Sequence, residues 1–430
     1  MSNTIRYKIE DCFYLRARIG WQGLRFDEFT DKGPYLVTGT DFVNGEVDWD
    51  TCYHVTERRY RQDTGIQLRE HDLLITKDGT IGKTAIVQNC PEKVTLNSGI
   101  FVVRAINGNV VPQFLYYILN SHQFYWFMRN MLTGSTIKHL NQEHFYKFSF
   151  EAPDTESQRK IAAVLNAADK AITKSRALVE KYTAIKQGLM QDLLMNGISD
   201  DGRIRSQKIH EYKSSDLGSI PNEWDCVSIG DIAIKVGSGA TPRGGQDVYT
   251  REGVLFIRSQ NVTFDGLFLD DVAYIDEQTN FVMNRSQIET SDVLLNITGA
   301  SLGRCCIYDL TVPANVNQHV CIIRTNMGSD FARFLCYWLS SFGQRQINSL
   351  IVGSNREGLN FSQVKAIKLP LIHNKNELKK IISTLEAQDE RLTAEKKRLA
   401  KLEKIKRGLM DDLLTNRVST DTLERGQEYA

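Results

Sequence analysis

The stretch that decides the fold is Thr155–Asn196, which reads TESQRKIAAVLNAADKAITKSRALVEKYTAIKQGLMQDLLMN. Steps of four and three residues alternate between its apolar positions, and this period is typical of a coiled-coil helix. Thr155 and Gln158 fit a capping box at the start, and Gly197 is the residue type that ends a helix. The predicted helix is about 60 Å long. Its seam consists of Ile161, Leu165, Ala168, Ile172, Ser175, Val179, Tyr182, Lys186, Leu189 and Leu193.

A second stretch repeats this pattern at Asn376–Asn416, which reads NELKKIISTLEAQDERLTAEKKRLAKLEKIKRGLMDDLLTN. Its seam consists of Ile381, Leu385, Gln388, Leu392, Glu395, Leu399, Leu402, Lys406, Leu409 and Leu413. Polar residues interrupt both seams at the same two places, and the Gly-Leu-Met triplet recurs near both ends. Matching apolar stripes favour mutual packing of the two helices, with the polar seam residues fixing their register. Two unrelated charged surface helices, the alternative, would not share these interruptions.

The repeat extends beyond the helices at a constant offset, which Gly188 and Gly408 set at 408 − 188 = 220 residues. Asp72, Gly79 and Asn97 have counterparts of the same type at that offset. An internal repeat outranks other signals in deciding the architecture. The predicted domains are 1–153 as a first globular domain, 154–197 as a first spacer helix, 198–219 as a linker, 220–373 as a second globular domain, 374–417 as a second spacer helix and 418–430 as a polar tail.

Both globular parts have the pattern of β-structure, with short β-branched segments bounded by Gly, Asn or Asp. Each also contains a segment that predicts one short helix, Pro112–Asn130 in the first part and Asp330–Leu350 in the second. Trp224, Tyr117 and Tyr337 are predicted core residues. The fold class is therefore predicted to be α+β, with two mostly-β domains that are each followed by one long helix.

The composition is that of an ordinary soluble protein, since 41% of the 430 residues are apolar and 24% are charged. The formal net charge of +1 means that any contact with nucleic acid requires a local positive potential. The first residues lack the apolar segment of a signal peptide, and no apolar run is long enough for a membrane span. The eight cysteines form no CxxC pair, which favours free thiols and a cytoplasmic location.

The sequence lacks the motifs of common catalytic sites. Gly79–Thr84 resembles a P-loop, but two residues instead of four separate its glycines, so it predicts a strand–turn–strand connection, as does Gly299–Arg304. No Pro-Pro dipeptide occurs, which excludes the (N/D)PP(Y/F) motif of amino-methyltransferases, and HExxH and GxSxG are missing as well. The eight histidines show no ligand spacing. We therefore expect neither catalysis nor a metal site in this chain alone.

Four pairs of predicted loops carry side chains that suit DNA. The first pair is Thr38–Asp41 with Arg258–Asn261, the second is Thr76–Thr80 with Asn296–Ser301, the third is Thr133–His139 with Gly353–Arg356, and the fourth is Arg18–Gly23 with Gly237–Arg243. Arg can pair with guanine, Asn or Gln can pair with adenine, and hydroxyls and Lys can contact phosphates. Each loop alone is more typical of a plain turn. However, the two copies agree at glycines and apolar residues and differ at the polar tips, as expected for one scaffold that reads two different short words. The candidate DNA-contacting residues are Arg18, Gln22, Thr38, Thr40, Lys77, Thr80, Ser135, Lys138, Ser238, Thr241, Arg243, Arg258, Ser259, Gln260, Asn261, Asn296, Thr298, Ser301, Ser354, Asn355 and Arg356.

The ordered set of motifs resembles the specificity (S) subunit of type I DNA restriction–modification systems, and the resemblance covers essentially the whole chain. One motif is ESQRKIA at 156–162, before the first long helix, and another is the Gly-Leu-Met-x-Asp-Leu-Leu ending of both helices. Further motifs are Ile220-Pro-x-x-Trp224, the segment Ile257–Val262 and Asp72-Leu-Leu-Ile before a glycine-containing turn. The first copy lacks the Ile-Pro-x-x-Trp motif.

The resemblance implies that each globular part is a target recognition domain, which reads one half of a bipartite, asymmetric DNA sequence. It also implies that the two long helices pack as an antiparallel coiled coil with a pseudo-twofold repeat, and that their length sets the gap between half-sites. The family's subunit has no catalysis of its own and binds no cofactor. It docks two modification subunits, which methylate adenine with S-adenosylmethionine, and restriction subunits, which use ATP and Mg. The alternative is a coiled-coil scaffold whose repeated domains bind proteins.

Overall fold

The structure is a computed structural model that describes residues 4–19, 24, 28–133, 139–242, 244–352 and 358–418. The chain divides into two compact units. The first unit comprises Met1–Leu178 with Glu395–Ala430, and the second unit comprises Val179–Ala394. Both divisions fall inside the long helices, so each unit contains one globular part and one segment of each long helix.

Short strands dominate the globular part of the first unit. The strands are β1 (Ile5–Lys8), β2 (Phe13–Arg16), β3 (Phe29–Val37), β4 (Phe42–Val43), β5 (Glu46–Val47), β6 (Tyr53–Val55), β7 (Leu73–Thr76), β8 (Thr84–Ile86), β9 (Val94–Leu96), β10 (Ile100–Ala105) and β11 (Ser149–Ala152). The helices are α1 (Ile9–Cys12), α2 (Glu57–Arg61), α3 (Pro112–Leu119), α4 (His122–Thr133), α5 (Gln142–Tyr146) and the first part of α6 (Thr155–Met195). One sheet has the order β2-β10-β7-β8-β5-β4, another has the order β6-β3-β9, and β1 pairs with β11.

The second unit has a similar order of elements. Its strands are β12 (Tyr212–Ser215), β13 (Gly218–Pro221), β14 (Asp225–Ser228), β15 (Ala233–Ser238), β16 (Val254–Ile257), β17 (Val262–Thr263), β18 (Gly266–Leu267), β19 (Ala273–Ile275), β20 (Gln287–Ile288), β21 (Asp292–Asn296), β22 (Cys305–Tyr308), β23 (Ala314–Val316), β24 (Val320–Thr325) and β25 (Lys368–Leu371). Its helices are α7 (Ile229–Ile232), α8 (Glu277–Val282), α9 (Ser329–Ser340), α10 (Phe342–Val352), α11 (Phe361–Ala366) and the first part of α12 (Lys375–Leu414). The two larger sheets have the orders β15-β24-β21-β22 and β19-β16-β23-β20.

The strand registers match between the two units. Leu74 of β7 lies opposite Val102 of β10, and Leu294 of β21 lies opposite Ile322 of β24, which is the same pair at the 220-residue offset. The parallel pairing of β3 with β9 also recurs, as β16 with β23. The internal repeat predicted from the sequence is therefore a repeat of the fold.

Alternating side chains on β7 pack against two different layers. Leu73 and Ile75 share a buried cluster with Phe114 of α3, whereas Leu74 packs with Leu96 of the smaller sheet on the other face. This alternation follows from the two-residue period of a strand, and a fully buried leucine contributes about 1.5–3 kcal/mol to stability. The second unit repeats the same layering. In both units the candidate site residues lie mainly on the loops that connect the strands.

The long helices pack antiparallel within each unit. In the first unit, Ile161 and Leu165 near the start of α6 share a buried cluster with Leu413 and Leu414 near the end of α12. In the second unit, the end of α6 lies in the cluster that contains the beginning of α12. Every seam position is buried or half-buried, as the 3.5-residue period requires.

One polar interruption of the seam in the first unit is an ion pair with a hydroxyl partner. Lys406 Nζ of α12 lies 2.5 Å from Asp169 Oδ1 of α6, and the Tyr117 hydroxyl donates to Asp169 Oδ2 at 3.0 Å. Burial raises the pKa of Tyr117, so its hydroxyl keeps the proton that it donates. Asp169 thus connects both long helices to the globular part, because it binds Lys406 of α12 and Tyr117 of α3.

The second unit contains the same three-residue arrangement at the 220-residue offset. Lys186 Nζ of α6 lies 2.6 Å from Asp389 Oδ1 of α12, and the Tyr337 hydroxyl donates to Asp389 Oδ2 at 2.8 Å. Lysine and aspartate exchange helices between the two units, as the antiparallel repeat demands. Neither lysine is a defect in the seam, because each has a partner there.

The predicted capping box of Thr155 and Gln158 is wrong. Asp154 caps α6 instead, because its Oδ1 accepts from the backbone N–H of Ser157 at 2.9 Å. Gln158 is fully buried, and its Oε1 accepts from the backbone N–H of Val111 at 2.8 Å. The glutamine therefore joins the helix to the globular part, because a tertiary donor replaces the local one.

The single helix predicted over Pro112–Asn130 is in fact two helices, α3 and α4. The side chains of Asn120 and Ser121 donate to the carbonyls of Tyr116 and Ile118 at 2.7 Å each, which ends α3. The helix predicted over the equivalent segment of the second unit is broken in the same way, between α9 and α10.

The segment predicted as a linker, 198–219, has structure of its own. The pairing of β12 with β13 forms a hairpin there, and buried Arg205 donates through Nη2 to Glu377 Oε2 of α12 at 3.1 Å. Trp224 and Tyr117, predicted as core residues, are buried, and Tyr337 is half-buried. Within the described ranges, no helix combines the length and the apolar character that a membrane span needs.

Candidate nucleic-acid interface

The first candidate loop of the second unit is a 3-10 turn at Ser259–Asn261, directly after β16. Asn261 is fully buried. Its Oδ1 accepts from the backbone N–H of Arg258 at 2.9 Å, and its Nδ2 donates to the carbonyls of Phe268 and Asp271 at 2.8 and 3.1 Å. The oxygen and the nitrogen of this amide are thus both hydrogen-bonded within the protein, and buried Asn261 stabilises the conformation of the loop.

Gln260 is exposed on this loop and Arg258 is half-buried beside it, and Asp271 restrains both. Arg258 Nη2 donates to the Asp271 carbonyl at 3.0 Å, and the guanidinium lies 5.7 Å from the ring centre of Tyr249. Gln260 Nε2 donates to Asp271 Oδ2 at 2.5 Å. The two side chains that suit guanine and adenine therefore lie next to each other and are held in place.

Asn296 connects the second candidate loop to the first. It is fully buried at the end of β21, and its Nδ2 donates to the Ser259 carbonyl at 2.8 Å. Thr298 and Ser301 follow on the turn between β21 and β22, where both are half-buried. Asn296 is thus a brace between two loops, and this turn confirms the predicted strand–turn–strand connection.

Gln318 and His319, which are not among the candidates predicted from the sequence, lie among these loops. Thr241 Oγ1 donates to Gln318 Oε1 at 2.7 Å, and Gln318 Nε2 lies 3.0 Å from His319 Nε2. His319 Nδ1 in turn lies 2.5 Å from Thr298 Oγ1. Gln318 and His319 directly follow Asn317, a residue at which the two copies of the repeat agree. The first copy has different residues after this asparagine, and that difference was the signal in the sequence.

In the first unit, the corresponding turn is Gly39–Asp41. Asp41 Oδ2 accepts from the backbone N–H of Thr38 at 2.7 Å and from its hydroxyl at 3.0 Å. Thr40 is exposed, and its hydroxyl lies 2.6 Å from that of Thr38. Burial raises the pKa of Asp41, against the lowering effect of the hydrogen bonds from Thr38. This loop presents hydroxyls where the second unit presents Arg and Gln.

The second loop of the first unit carries Lys77, Asp78 and exposed Thr80. Lys77 Nζ lies 4.0 Å from Asp78 Oδ2, and Asp78 Oδ1 lies 2.5 Å from His139 Nδ1 at the end of the third candidate loop. Lys83 Nζ donates to the Gly39 carbonyl at 3.2 Å, which joins this loop to the first one. Three candidate loops therefore meet at one end of the domain.

Arg18 is placed differently from the other candidates. Its side chain is 1% exposed, its Nε donates to the Leu96 carbonyl at 2.9 Å, and its Nη2 donates to Thr95 Oγ1 at 3.1 Å. These bonds fasten the segment after β2 onto β9. The structure therefore places Arg18 inside the domain, where it supports the loops.

Of the remaining candidate residues, the structure describes only Ser238. Ser238 is half-buried at the end of β15, and its hydroxyl donates to the Gly239 carbonyl at 3.4 Å. The candidates that lie outside the described residues are Gln22, Ser135, Lys138, Arg243, Ser354, Asn355 and Arg356. Contact of these residues with DNA stays a prediction.

The described part of the chain contains no group of three or more His, Cys, Asp or Glu side chains that could hold a metal ion. Burial also raises the pKa of thiols, and that of Cys321 rises to about 12, so this thiol is protonated and a poor nucleophile at neutral pH. The loops offer hydrogen-bond donors, acceptors and cations, which suit recognition of a polar surface.

One frame carried twice, with matched registers and unlike polar tips, defines a recognition protein built from two related domains. Residues 9–180 and 221–404 match the family model of the type I restriction modification DNA specificity domain. The chain therefore belongs to this family, and the resemblance inferred from its motifs is confirmed.

Curated relatives and a solved structure agree with this assignment. The type I restriction enzyme MjaVIII specificity subunit of Methanocaldococcus jannaschii is 23% identical over 83% of this chain and 81% of its own length. The MjaIX specificity subunit of the same organism is 22% identical over 86% and 83%. The crystal structure of a type I restriction–modification S subunit from M. genitalium covers 96% of both chains with a TM-score of 0.62 and 15% identity, which shows a shared fold.

Proposed function

We propose that this chain is the sequence-reading subunit of a type I restriction–modification complex, and that each unit reads one half of a bipartite, asymmetric DNA target. The observation that carries the proposal is the difference between matched loop tips on matched frames. Thr38 and Thr40 of the first unit stand where Arg258 and Gln260 stand in the second. Arg and Gln discriminate guanine and adenine, whereas a threonine hydroxyl bonds to several groups, so the two domains suit different words.

The long helices fit the role of a spacer in this proposal. Helix α6 has 41 residues, which gives it a length of about 60 Å at 1.5 Å per residue. One turn of B-DNA advances about 34 Å, so a spacer of this length suits half-sites that are separated by an unspecified gap. The matched lysine–aspartate pairs support the proposal, since they fix how the two helices pack.

We further propose that two modification subunits dock on this chain and that restriction subunits join them. An open groove of about 800 Å³ in the first unit supports a docking role. Exposed Ala163, Asn166 and Thr173 of α6 form one wall, and the turn between β4 and β5 contributes to the other. Small side chains along a helix leave room for the side chains of a partner.

In this proposal the chain itself is not catalytic. The partner subunits hold S-adenosylmethionine for adenine methylation, and ATP and Mg for restriction, while this chain holds none of them. We also propose a cytoplasmic location, where the complex meets its target DNA and where the eight cysteines stay as thiols.

Expression with the neighbouring methyltransferase, followed by single-base mapping of modified adenines in a host genome, tests the proposal. The expected result is a split motif, in which two short words flank a gap of fixed length. Replacing residues 1–153 by the equivalent domain of another family member should change one word and leave the other unchanged. One continuous motif, or no modification, would contradict the proposal and favour the protein-binding scaffold.

A further inference from the structure

The turn between β23 and β24 places the side chain of Gln318 among the candidate loops of the second unit. Gln318 is exposed, and Asn317 shapes the turn by accepting from the backbone N–H of His319 at 3.0 Å. An exposed glutamine ordinarily samples many rotamers, and ordering it on binding costs free energy. Here two hydrogen bonds already hold the amide, one from Thr241 to Oε1 and one from Nε2 to His319.

The orientation of the amide determines the roles of its hydrogen-bond partners. Gln318 Nε2 has only protons to give, so His319 Nε2 accepts, and the ring proton lies on Nδ1. His319 Nδ1 therefore donates to Thr298 Oγ1 at 2.5 Å. Thr298 is itself fixed by a backbone bridge to Gly358, at the end of the third candidate loop. The orientation of the amide thus depends on residues from three loops.

We propose that Gln318 reads an adenine in the half-site of the second unit, an inference that rests on the function proposed above. The two internal bonds use one lone pair of Oε1 and one proton of Nε2, which leaves one acceptor and one donor side by side. Adenine presents an N6–H donor beside the N7 acceptor in the major groove, and this pair matches the glutamine in a bidentate contact. Guanine presents two acceptors at this edge, so the amide oxygen would be left without a donor.

The first unit lacks this reader at the equivalent turn. Ser98 and Gly99 stand where Gln318 and His319 stand in the second unit. The shorter side chain of Ser98 is used locally, because its hydroxyl donates to Asn97 Oδ1 at 3.5 Å. The difference at this turn is therefore a second point, besides the Arg258 loop, at which the two units present unlike groups on the same frame.

The test uses the full chain in its complex with the methyltransferase and maps modified adenines genome-wide for each variant. Gln318→Ala should relax one adenine position of one word, with a loss of discrimination of about 5- to 150-fold. Gln318→Glu should shift the preference at that position from adenine to cytosine, because a carboxylate only accepts and cytosine N4 donates. The word read by the first unit should stay unchanged in both variants, which provides an internal control.

Three further variants test Thr241 and His319 as positioning residues. Thr241→Val removes the donor to Gln318 and should relax the same adenine position, whereas Thr241→Ser keeps the hydroxyl and should restore the wild-type preference. His319→Phe should relax that position and no other. Gln207, which is exposed and distant in sequence from the loops, provides the matched control, and Gln207→Glu should leave both words unchanged.

Selection of randomised DNA by each purified complex separates the possible outcomes when a variant abolishes modification. Loss of preference at one position supports the inference, whereas equal weakening on all sequences would show a backbone contact and overturn it. An unchanged second word in Gln318→Ala, or a second word without adenine, would also overturn it while the bipartite motif still upheld the proposed function. If the wild-type motif were not bipartite, the proposed function itself would fail.

Discussion

Ser175 donates a hydrogen bond to Glu395 at 2.5 Å, and the two residues hold the same position in the two copies of the repeat, 220 residues apart. Both are buried within the first unit, on facing segments of α6 and α12. A hydroxyl and a carboxylate can meet there, whereas two carboxylates at this distance would repel each other. Because the two copies carry different residues at this position, the long helix of one copy can pack against the long helix of the other within the same chain.

Removal of the Ser175 hydroxyl should destabilise the protein, because it leaves a buried carboxylate short of a donor. We expect Ser175→Ala to lower the free energy of unfolding in urea by about 1–3 kcal/mol. The double variant Ser175→Ala with Glu395→Leu should recover most of the loss, since an apolar pair needs no donor. Thr183→Ala, which removes a hydroxyl bonded only to the Val179 carbonyl of its own helix, should cost little. Equal losses at Ser175 and Thr183 would contradict a special role for the pair.

The sequence predicted the seam, the repeat and the positions of its interruptions, because these depend on a local period and a constant offset. It could not predict what Lys406 contacts, since Asp169 is far away along the chain and a period specifies only a face. Gln158 shows the opposite error. Its position fits a local capping box, but its side chain accepts from the backbone N–H of Val111, which is distant in sequence. The first two pairs of loops lie between strands as predicted, yet Asn261 and Asn296 are buried and brace the loops. Gln318 was missed because an exposed polar residue in a turn looks ordinary in a sequence.

Asp41 should make stability depend on pH in a direction set by its burial. Because burial raises its pKa above that of the unfolded chain, the folded state favours the protonated form, and stability is lost as pH rises through the folded pKa. Its counterpart is Asn261, which makes the equivalent bond to the backbone N–H of Arg258 without a charge. Asp41→Asn should therefore gain stability over wild type as pH rises, measured by urea unfolding at several pH values.

A second buried carboxylate provides the contrast to Asp41. Asp72 forms an ion pair with Arg104, with Nε to Oδ1 at 2.8 Å, and their side chains are 7% and 10% exposed. Asp72→Asn should lower the free energy of unfolding by about 3–5 kcal/mol, because it leaves a buried guanidinium without its charge partner.

The prediction for Asp41 would be contradicted if the stabilities of Asp41→Asn and wild type changed in parallel with pH. That result would show that Asp41 does not titrate as its burial requires.

The two lysine–aspartate pairs should have equal coupling energies. Lys406 and Asp169 are each about one quarter exposed, so water screens the pair in part, and we expect a coupling of about 1–2 kcal/mol. The cycle uses Lys406→Met with Asp169→Asn, and the matched cycle in the second unit uses Lys186→Met with Asp389→Asn. Urea unfolding should give values that agree within about 0.5 kcal/mol. A coupling energy of zero in either cycle would contradict the prediction, because the matched ion pair would then contribute nothing to stability.

Lys77 should contribute to DNA affinity without contributing to sequence choice. It lies on a candidate loop beside Asp78, and its side chain is 25% exposed, so it suits a phosphate better than a base edge. Lys77→Ala should weaken binding of the assembled complex to all sequences alike, and should reduce the slope of log affinity against log salt by about 0.9. Anisotropy titrations at several salt concentrations measure both quantities.

The matched control for Lys77 is Lys93, which precedes β9 at the end opposite the candidate loops and pairs with Glu57 at 3.0 Å. Lys93→Ala should leave the salt slope unchanged, because no phosphate contact is lost. A Lys77→Ala variant that altered the preferred base at one position would instead assign this lysine to base reading. The two results are distinguishable because a counterion-release term acts on every sequence, whereas a base contact acts on one position of one word.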